Sequence, residues 1–363
     1  MIPDYAIKSG GFRVEKNLSG GDIKFGEIGG KGGDAVFFYF ATCRLPAQDK
    51  AKYFSSRRSD ENHYGTAKVH VPEDRKFGTL RRPFRFKLLS FTLFEAREDP
   101  RKHFIIEDVE EIALDTWKSR VGGHGCNHAL IFVHGFNTTF RDAIFRSGQI
   151  FWDLQYDGVP ILFSWASGGD VVDYVYDKDS AIHAGQHFRE LLKNLNIAGI
   201  EKVHVIAHSM GNYMLLNALD GNCQEMAPFG IKEVVMASPD IDRDIFLQKM
   251  PQLCNVVPGM TLYASSADRA LKLSMKCARN VPRAGYISSD GPVTLLGVDT
   301  IDVTEIGEEP LGFGHGAYSE KASILNDIGQ ILEHSIRPPH KRLVQLKGMP
   351  SSAKEPKWWR FVG

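Results

Sequence analysis

The sequence predicts an α/β fold in which helices cover both faces of a mostly parallel central sheet. From Ala129 onward, short and almost continuously apolar strands alternate with segments of helical periodicity. Strands that are buried on both faces need such apolar runs, and strand–helix alternation is typical of parallel sheets. Before Ala129 the patterns are mostly those of strands, which predicts a strand-rich first part of the fold.

Composition limits the classes of function. The chain has 363 residues, of which 43% are hydrophobic, and its 44 basic and 44 acidic residues give zero net charge. This balance argues against nucleic acid as a partner. No apolar run approaches the roughly 20 residues of a membrane helix, so we expect no stable membrane insertion. The five cysteines are scattered without a C-x-x-C pair, which favours a reducing, cytoplasmic location. Oligomeric state is left open.

Three regions are expected along the chain. Residues 1–33 are glycine-rich and predict a flexible arm, in which "GEIGGKGG" has a glycine where a phosphate-binding loop needs Ser or Thr. Residues 34–338 form the predicted domain, with a strand-rich first part (34–125) and a catalytic part (126–338). Residues 339–363 are a C-terminal tail whose aromatic end, "WWRF", is expected to pack on the chain's own surface.

The elements are predicted from local patterns. In the first part, strands are expected at "AVFFYFAT", "AKVHVP" and "RFKLLSFTLFEA", separated by polar loops such as "SSRRSDENHYG", before a short helix at "VEEIALDTW". In the second part, strands are expected at "ALIFVHG", "VPILFSWAS", "KVHVIA", "KEVVMAS", "MTLYAS" and "VDTIDV". Only a short segment separates "KEVVMAS" from "MTLYAS", so no large cap domain is expected there.

The candidate nucleophile is Ser209, in the stretch "VHVIAHSMGNYML". It lies where a predicted strand passes directly into a predicted helix, with the small residues Ala207 and Gly211 two positions to either side. A sharp turn of this kind needs small flanking residues and holds the serine hydroxyl exposed above the sheet. A serine that only caps the helix is the alternative interpretation. The flanking residues favour the nucleophile.

A nucleophilic serine needs a general base further along the chain. Three histidines follow Ser209: His334 falls in the last predicted helix, His340 in the tail, and His315 in the glycine-flanked loop "LGFGHGAYSE". We expect His315 to be the base, because its loop follows the last strand and can carry an imidazole over the sheet edge. His208 adjoins Ser209 on a sharp turn and is expected to be structural.

The acid that orients the base has two candidates. Asp268 follows the strand "MTLYAS", and Asp240 follows the strand before it, in "ASPDIDRD". Both lie at strand ends that can supply this carboxylate in a parallel sheet. We favour Asp268, since Asp240 directly follows Pro239 in a segment suited to a turn or a helix cap.

The backbone around Ser209 and the next strand end is expected to form an oxyanion hole. Met210 would give one N–H, and Phe136, after the strand "ALIFVHG", the other. His134 and Gly135 would shape that second turn, with Gly135 leaving room for the acyl group. The remaining candidates for the substrate pocket are aromatic and include two tyrosines from the loop-like stretch "GGDVVDYVYDKDS": Trp165, Tyr174, Tyr176 and Phe313.

No cofactor or metal is expected. The segment "HGCNH" places His124, Cys126 and His128 at alternate positions, which would put all three on one side of an extended chain, but no fourth metal ligand is evident nearby. A loop entering the following strand is the preferred interpretation.

The motifs "FVHGFN", "IAHSMGN", "LYASSADRAL" and "GHGAY" resemble, in kind and order, a bacterial group of α/β-hydrolases catalogued as a domain of unknown function. "FFYFATCR" and "YGTAKVHVP" are also similar to the leading strands of that group, so the resemblance covers roughly residues 35 to 335. It implies a Ser–His–Asp serine hydrolase without a cofactor. Ala207 stands where the elbow motif of the superfamily has its first glycine.

The expected function is hydrolysis of a small-molecule carboxylic ester through an acyl-enzyme intermediate. A thioesterase, an amidase or an acyltransferase with the same triad is the alternative within the same class. A binding protein that keeps the fold without turnover is the alternative from another class, and the complete set of Ser, Asp and His argues against it.

Overall fold

The computed structural model describes the greater part of the chain, including every predicted strand of the second part. The described residues are 12–15, 24–27, 34–74, 80, 85–88, 91–95, 99–220, 229–254, 256–306, 318–342, 346–350 and 355–362.

The strands are β1 (Phe12–Glu15), β2 (Lys24–Glu27), β3 (Asp34–Pro46), β4 (Phe54–Val71), β5 (Arg85–Leu88), β6 (Phe91–Glu95), β7 (Ile105–Glu111), β8 (His128–Val133), β9 (Val159–Ser164), β10 (Lys202–His208), β11 (Ile231–Ala237), β12 (Gly259–Ala264), β13 (Asp299–Asp302), β14 (Leu346–Met349) and β15 (Trp358–Phe361). The helices are α1 (Leu114–Gly122), α2 (Phe140–Leu154), α3 (Tyr174–Ile197), α4 (Met210–Leu219), α5 (Arg243–Cys254), α6 (Arg269–Cys277) and α7 (Tyr318–His334).

An eleven-stranded sheet organises the fold, in the order β14-β15-β13-β12-β11-β10-β8-β9-β3-β4-β7. From β15 to β3 every neighbouring pair is parallel, whereas β14, β4 and β7 pair antiparallel at the two sides. The predicted α/β class, with its mostly parallel sheet, is therefore confirmed. Helix α5 alone fills the connection between β11 and β12, so no large cap domain is inserted there.

The central strands are apolar on both faces because each face is covered. Leu130 and Phe132 of β8 belong to a core cluster that includes Ile144 of α2 and Ile328 of α7. Ile131, between them in the chain, belongs to the cluster on the other face, which includes side chains of α3 and α4. Alternate residues of one strand thus enter opposite cores, which explains the continuous apolar run in the sequence.

Four element predictions were wrong. The stretch "RFKLLSFTLFEA" was expected to be one strand and contains two, β5 and β6, which pair antiparallel. The polar stretch "SSRRSDENHYG" lies inside the 18-residue strand β4 rather than in a loop, because it pairs with the end of β3 across two irregularities in register. The segment "VEEIALDTW" is divided between the end of β7 and the start of α1. The stretch "GGDVVDYVYDKDS" is mostly a 3₁₀ turn and the beginning of α3. In each case cross-strand pairing or packing outweighs the local composition.

The C-terminal residues take part in the sheet. Strand β15 pairs in parallel with β13, and Trp359 and Phe361 are buried in the core cluster of that face. Arg360 Nε donates to Asp302 Oδ2 over 3.0 Å, next to the end of β13. Arg342 Nε donates to the buried Asp327 Oδ1 over 2.8 Å and so anchors the chain to α7 just before β14. The aromatic end therefore packs against its own chain, as an extension of the sheet.

Candidate functional site

Ser209 lies between β10 and α4 in a strained backbone conformation. Its φ of 51° and ψ of −123° lie outside the regions that residues other than glycine ordinarily adopt. Its N–H donates to Ala237 O over 2.9 Å, and its carbonyl accepts from the N–H groups of Asn212 and Asp240 over 3.1 and 3.3 Å. These bonds hold the serine at the carboxyl edge of the sheet, directly before a helix N-terminus.

Asn212 is a residue of this turn that sequence reasoning missed. Its side chain is buried, and its amide nitrogen donates to Ala207 O over 3.0 Å and to Ser209 O over 3.2 Å. The amide therefore ties α4 to the last residues of β10. The only signal in the sequence is its position three residues after the serine.

Two glycines permit the close approach of the end of β8 to the turn at Ser209. A Cβ added to Gly135 would lie 2.9 Å from Ser209 Cβ and 3.0 Å from His208 Nδ1. A Cβ added to Gly211 would lie 2.5 Å from His134 O and 2.9 Å from Val133 O. The loop after β8 therefore touches the serine turn directly, as an oxyanion hole formed by the two segments requires.

The expected oxyanion donors flank this contact. Met210 is the first residue of α4, and Phe136 follows Gly135 in the loop after β8. Within the described part of the chain, the backbone N–H groups of both residues have no hydrogen-bond partner. A helix N-terminus also carries partial positive charge. The position of Met210 therefore suits a developing oxyanion.

His134 and Trp165, predicted to line the substrate pocket, lie inside the protein at the loop after β8. Both are buried, their rings stack with centroids 5.2 Å apart, and Trp165 Nε1 donates to His134 O over 2.9 Å. Burial, together with the nearby Arg44, lowers the pKa of His134 to about 3, so its imidazole is neutral at physiological pH. Their contacts support the loop from within the protein.

Tyr174 and Tyr176, also predicted to line the pocket, are in the first turn of α3. The Tyr174 ring packs edge-on against Phe136, with centroids 5.3 Å apart, so this tyrosine lies beside the loop after β8. Tyr176 faces β4: its hydroxyl donates to Ser56 O over 2.9 Å, and Arg58 covers its ring. The structure thus brings Tyr174 to the candidate site and ties Tyr176 to the neighbouring hairpin.

Asp240 is held in a buried network. Its Oδ1 accepts from Ser274 Oγ over 2.6 Å and lies 3.2 Å from Arg283 Nε, while its Oδ2 accepts from Tyr174 Oη over 3.2 Å. Burial raises the pKa of this carboxyl, and the bonds from Ser274 and Arg283 oppose that shift. Both of its oxygens are therefore already engaged with partners.

Asp268 lies at the end of the connection from β12 to α6. It is buried, and its Oδ1 accepts from Leu271 N over 2.9 Å, so it caps the N-terminus of α6. Burial raises the pKa of this carboxyl, and the bonds from backbone N–H groups oppose that effect. Strand β12 is separated from β10 only by β11, so Asp268 and Ser209 belong to the same edge of the sheet.

The predicted base, His315, and Phe313 lie outside the described residues. Both residues come between β13, which ends at Asp302 on the sheet edge that carries Ser209, and α7, which begins at Tyr318. His208, next to Ser209, is a different case: burial lowers its pKa to about 3, which leaves it a weak base.

Within the described residues, no three His, Cys, Asp or Glu side chains are close enough together to hold a metal ion. In the segment predicted as a loop, Cys126 Sγ lies 3.6 Å from both His124 Nδ1 and His128 O. Over the same described part, no helix has both the length and the apolar character needed to cross a membrane.

Comparison with known proteins gives one broad match and several weaker ones. An uncharacterized protein of Nostoc sp. (strain PCC 7120), alr1448, is 26% identical over 143 residues, covering 32% of this chain and 36% of that protein. The chain thus spans about a third of the length of this curated relative.

Among solved structures, a putative cell surface hydrolase from Lactobacillus plantarum WCFS1 covers 60% of this chain and 97% of its own, at 13% identity and a TM-score of 0.35. An esterase of Pyrobaculum calidifontis covers 75% and 82%, at 10% identity and a TM-score of 0.34.

The sequence profile of the family described as alpha/beta hydrolase of unknown function (DUF900) matches residues 113–334, from the start of α1 to the end of α7. This range contains the turn at Ser209, the two candidate oxyanion donors and the three candidate triad positions. The match extends over more than half of the chain, so the protein belongs to this family of α/β-hydrolases.

Proposed function

We propose that this protein is a serine hydrolase that cleaves carboxylic esters of small molecules through Ser209, His315 and Asp268. The observation that carries the proposal is the conformation of Ser209: a serine with positive φ, directly between β10 and the N-terminus of α4. Strain of this kind costs about 1–3 kcal/mol and persists where the surrounding structure enforces it, commonly at active sites. A serine that only capped α4 would have no need of it.

The proposed reaction has two stages. Ser209 attacks the acyl carbon while His315 takes its proton, and His315 then gives that proton to the leaving alcohol. Asp268 orients the imidazole and stabilises its protonated form. The N–H groups of Phe136 and Met210 stabilise the oxyanion of each tetrahedral intermediate. Water then releases the acid from the acyl-enzyme, with His315 again as the base, and no cofactor is needed.

The contacts of the two candidate acids favour Asp268. Asp240 is already paired with the buried Arg283 and bonded to Ser274 and Tyr174, so turning it toward an imidazole would leave a buried cation without its partner. Asp268 accepts backbone bonds at the start of α6, which fix the carboxyl without using a charged partner. It follows β12, one strand before the one that leads into the loop of His315.

Three other activities use the same residues. A thioesterase or an amidase would differ only in the leaving group, and an acyltransferase would pass the acyl group to an alcohol or amine in competition with water. Product analysis with added alcohol or amine distinguishes transfer from hydrolysis. A binding protein without turnover is the remaining alternative. The strained serine argues against it, as do the N–H groups of Phe136 and Met210, which have no partner among the described residues. The cytoplasmic location stays a prediction.

Labelling with a fluorophosphonate tests the nucleophile. The expected result is one adduct in the intact mass of the wild type and none in Ser209→Ala, with loss of p-nitrophenyl acetate and butyrate turnover in the same variant. Ser289→Ala, which alters an exposed serine, is the matched control and should label like the wild type. Failure of well-folded wild type to form an adduct or to hydrolyse either ester would contradict the proposal and favour the binding protein.

The pH dependence tests the base. Acylation should slow as pH falls through the ordinary titration range of a histidine, near pH 6.5, because only the neutral imidazole of His315 accepts the serine proton. His315→Gln should abolish turnover at every pH. A rate in the wild type that stays constant from pH 5 to pH 8 would exclude this assignment.

A further inference from the structure

The loop that carries Phe136 is fixed by two buried charged residues from outside it. The first is Asp177, in the first turns of α3, whose side chain is fully buried. Its Oδ2 accepts from the Asn137 N–H over 3.2 Å and from Ser167 Oγ over 2.5 Å, and its Oδ1 accepts from the Gly168 N–H over 2.6 Å. One carboxylate therefore connects the loop after β8 with the loop after β9.

The second buried charge is Arg44 of β3, 1% exposed. Its guanidinium donates to Thr138 O over 2.8 Å and to Ser167 O over 3.0 Å, and it lies 3.4 Å from His134 Nε2. Hydrogen bonds to charged groups are stronger than neutral ones, and a guanidinium fork also fixes direction. Arg44 therefore holds both ends of the turn from 134 to 138.

These bonds determine the direction of the Phe136 N–H. In a trans peptide, the carbonyl of one residue and the N–H of the next point in opposite directions. Gly135 O lies 2.9 Å from His134 Nδ1, so the Phe136 N–H of the same peptide must point away from that imidazole. Because Arg44 can only donate, His134 Nε2 acts as an acceptor toward it, and Nε2 also contacts Ser164 Oγ. The proton of the neutral ring is then on Nδ1, which donates to Gly135 O. Arg44 thus acts on this peptide through His134.

The peptide on the other side of Phe136 is fixed by Asp177. The Asn137 N–H points to the carboxylate, and Phe136 O, on the opposite side, accepts from Thr138 Oγ1 over 3.1 Å. Asn137 itself has a φ of 54°, a conformation that costs energy and needs support from its surroundings. The Thr138 N–H donates to Ser167 Oγ over 3.0 Å, and this hydroxyl donates in turn to Asp177.

We propose that Arg44 and Asp177 are positioning residues for the oxyanion hole: they fix the two peptides that flank Phe136 so that its N–H is directed at the acyl oxygen held by Ser209. The inference rests on the proposed function, since it assigns these residues to the same site. Neither touches the substrate. Their effect is on the stabilisation of the transition state, where one correctly placed donor contributes a factor of about 10²–10³ in kcat.

Asp177→Asn is the principal test. An amide has one accepting oxygen and a donating NH₂, yet the three groups around this position all donate to the carboxylate. At least one of them loses its acceptor, and the loop loses part of its support. We expect kcat to fall about 10- to 100-fold with KM nearly unchanged, because the oxyanion donor acts mainly in the transition state. Asp179→Asn, an exposed residue of the same helix, is the matched control and should leave both constants unchanged.

Fluorophosphonate labelling to completion gives the fraction of molecules with a competent Ser209, and turnover is divided by that fraction. A fall in kcat for each labelled site supports positioning. A fall only in the number of labelled sites, with kcat for each site equal to the wild type, would overturn the inference and leave a packing role.

Ser167→Ala, which removes only the hydroxyl between Thr138 and Asp177, covers the case in which Asp177→Asn does not fold, and should lower kcat about 10-fold. Wild type that neither labels nor turns over would instead overturn the proposed function, and the inference with it.

Discussion

Gly211→Ala tests the close packing between the turn at Ser209 and the end of β8. The added Cβ would lie 2.5 Å from His134 O, and this carbonyl must move about 0.5 Å to reach even the 3.0 Å below which Cβ contacts are essentially never found. Both contacted oxygens belong to the backbone of β8 and the residue after it, so no side chain can rotate away. His134 O also accepts from Trp165 Nε1, which resists the movement.

The magnitude follows from two opposing effects. Overpacking a well-packed region costs about 1–3 kcal/mol, while replacing glycine by alanine in a helix returns up to about 1 kcal/mol. We expect a net loss of about 1–2 kcal/mol in the free energy of unfolding, measured by urea titration with tryptophan fluorescence. Since a displacement of about 1 Å can cost 10²-fold in rate, a shift of half that size should lower kcat for ester hydrolysis about 10-fold.

Gly329→Ala, in α7, is the matched control because its added Cβ would meet no atom within 4 Å. It should stabilise the protein by up to about 1 kcal/mol and leave turnover unchanged. A Gly211→Ala variant as stable and as active as Gly329→Ala would refute the argument that β8 and the turn at Ser209 are in direct contact.

Three further predictions concern the acid, the pH dependence of stability and a helix cap. Asp268→Asn should lower kcat about 10⁴-fold with little loss of stability. Asp240→Asn should mainly destabilise the protein, by about 3–5 kcal/mol, because the buried Arg283 loses its partner. If the two variants had equal effects on kcat and on the free energy of unfolding, the assignment of Asp268 as the acid would be contradicted. Burial lowers the pKa of His204 to about 4, so in the unfolded chain this imidazole binds a proton at higher pH than in the folded one. The contribution of His204 to the free energy of unfolding is present above about pH 6.5 and is lost as pH falls toward 4, by about 1.4 kcal/mol per pH unit. In urea titrations, the dependence of the unfolding free energy on pH should be weaker in His204→Phe and unchanged in His334→Gln, which alters an exposed histidine. An equal pH dependence in the wild type and both variants would refute this prediction. Thr139→Ala should cost about 1 kcal/mol in the same titration, because Thr139 is the N-cap and part of the capping box of α2, and an unchanged midpoint would show that the cap is dispensable.

Much of the second half of the fold could be predicted because its patterns are local. The apolar run "ALIFVHG" requires burial on both faces, and a parallel sheet with helices on each side provides it. The turn at Ser209 could be predicted in the same way, since small residues on both sides of a serine between a strand and a helix are typical of a sharp turn. The relative order of Ser209, Asp268 and His315 along the chain also follows from the sequence.

Other features depend on partners that are distant in the chain. The polar stretch "SSRRSDENHYG" has the composition of a loop and becomes a strand only because β3 offers it hydrogen bonds. The choice between Asp268 and Asp240 needs Arg283, whose position beside Asp240 no local pattern indicates. The last residues looked like a tail, and the unpaired edge of β13 gives β15 its place in the sheet.

The sequence by itself determined the α/β class and the serine turn at the end of β10, because strand burial and the turn depend on residues within a few positions of one another. Only the tertiary structure decided how the loop after β8 is held. Arg44 lies 94 residues before Thr138, and Asp177 lies 40 residues after Asn137. Each of these hydrogen bonds forms only once the sheet has brought β3, β8 and the start of α3 together, and no periodicity or motif in the chain encodes such a contact.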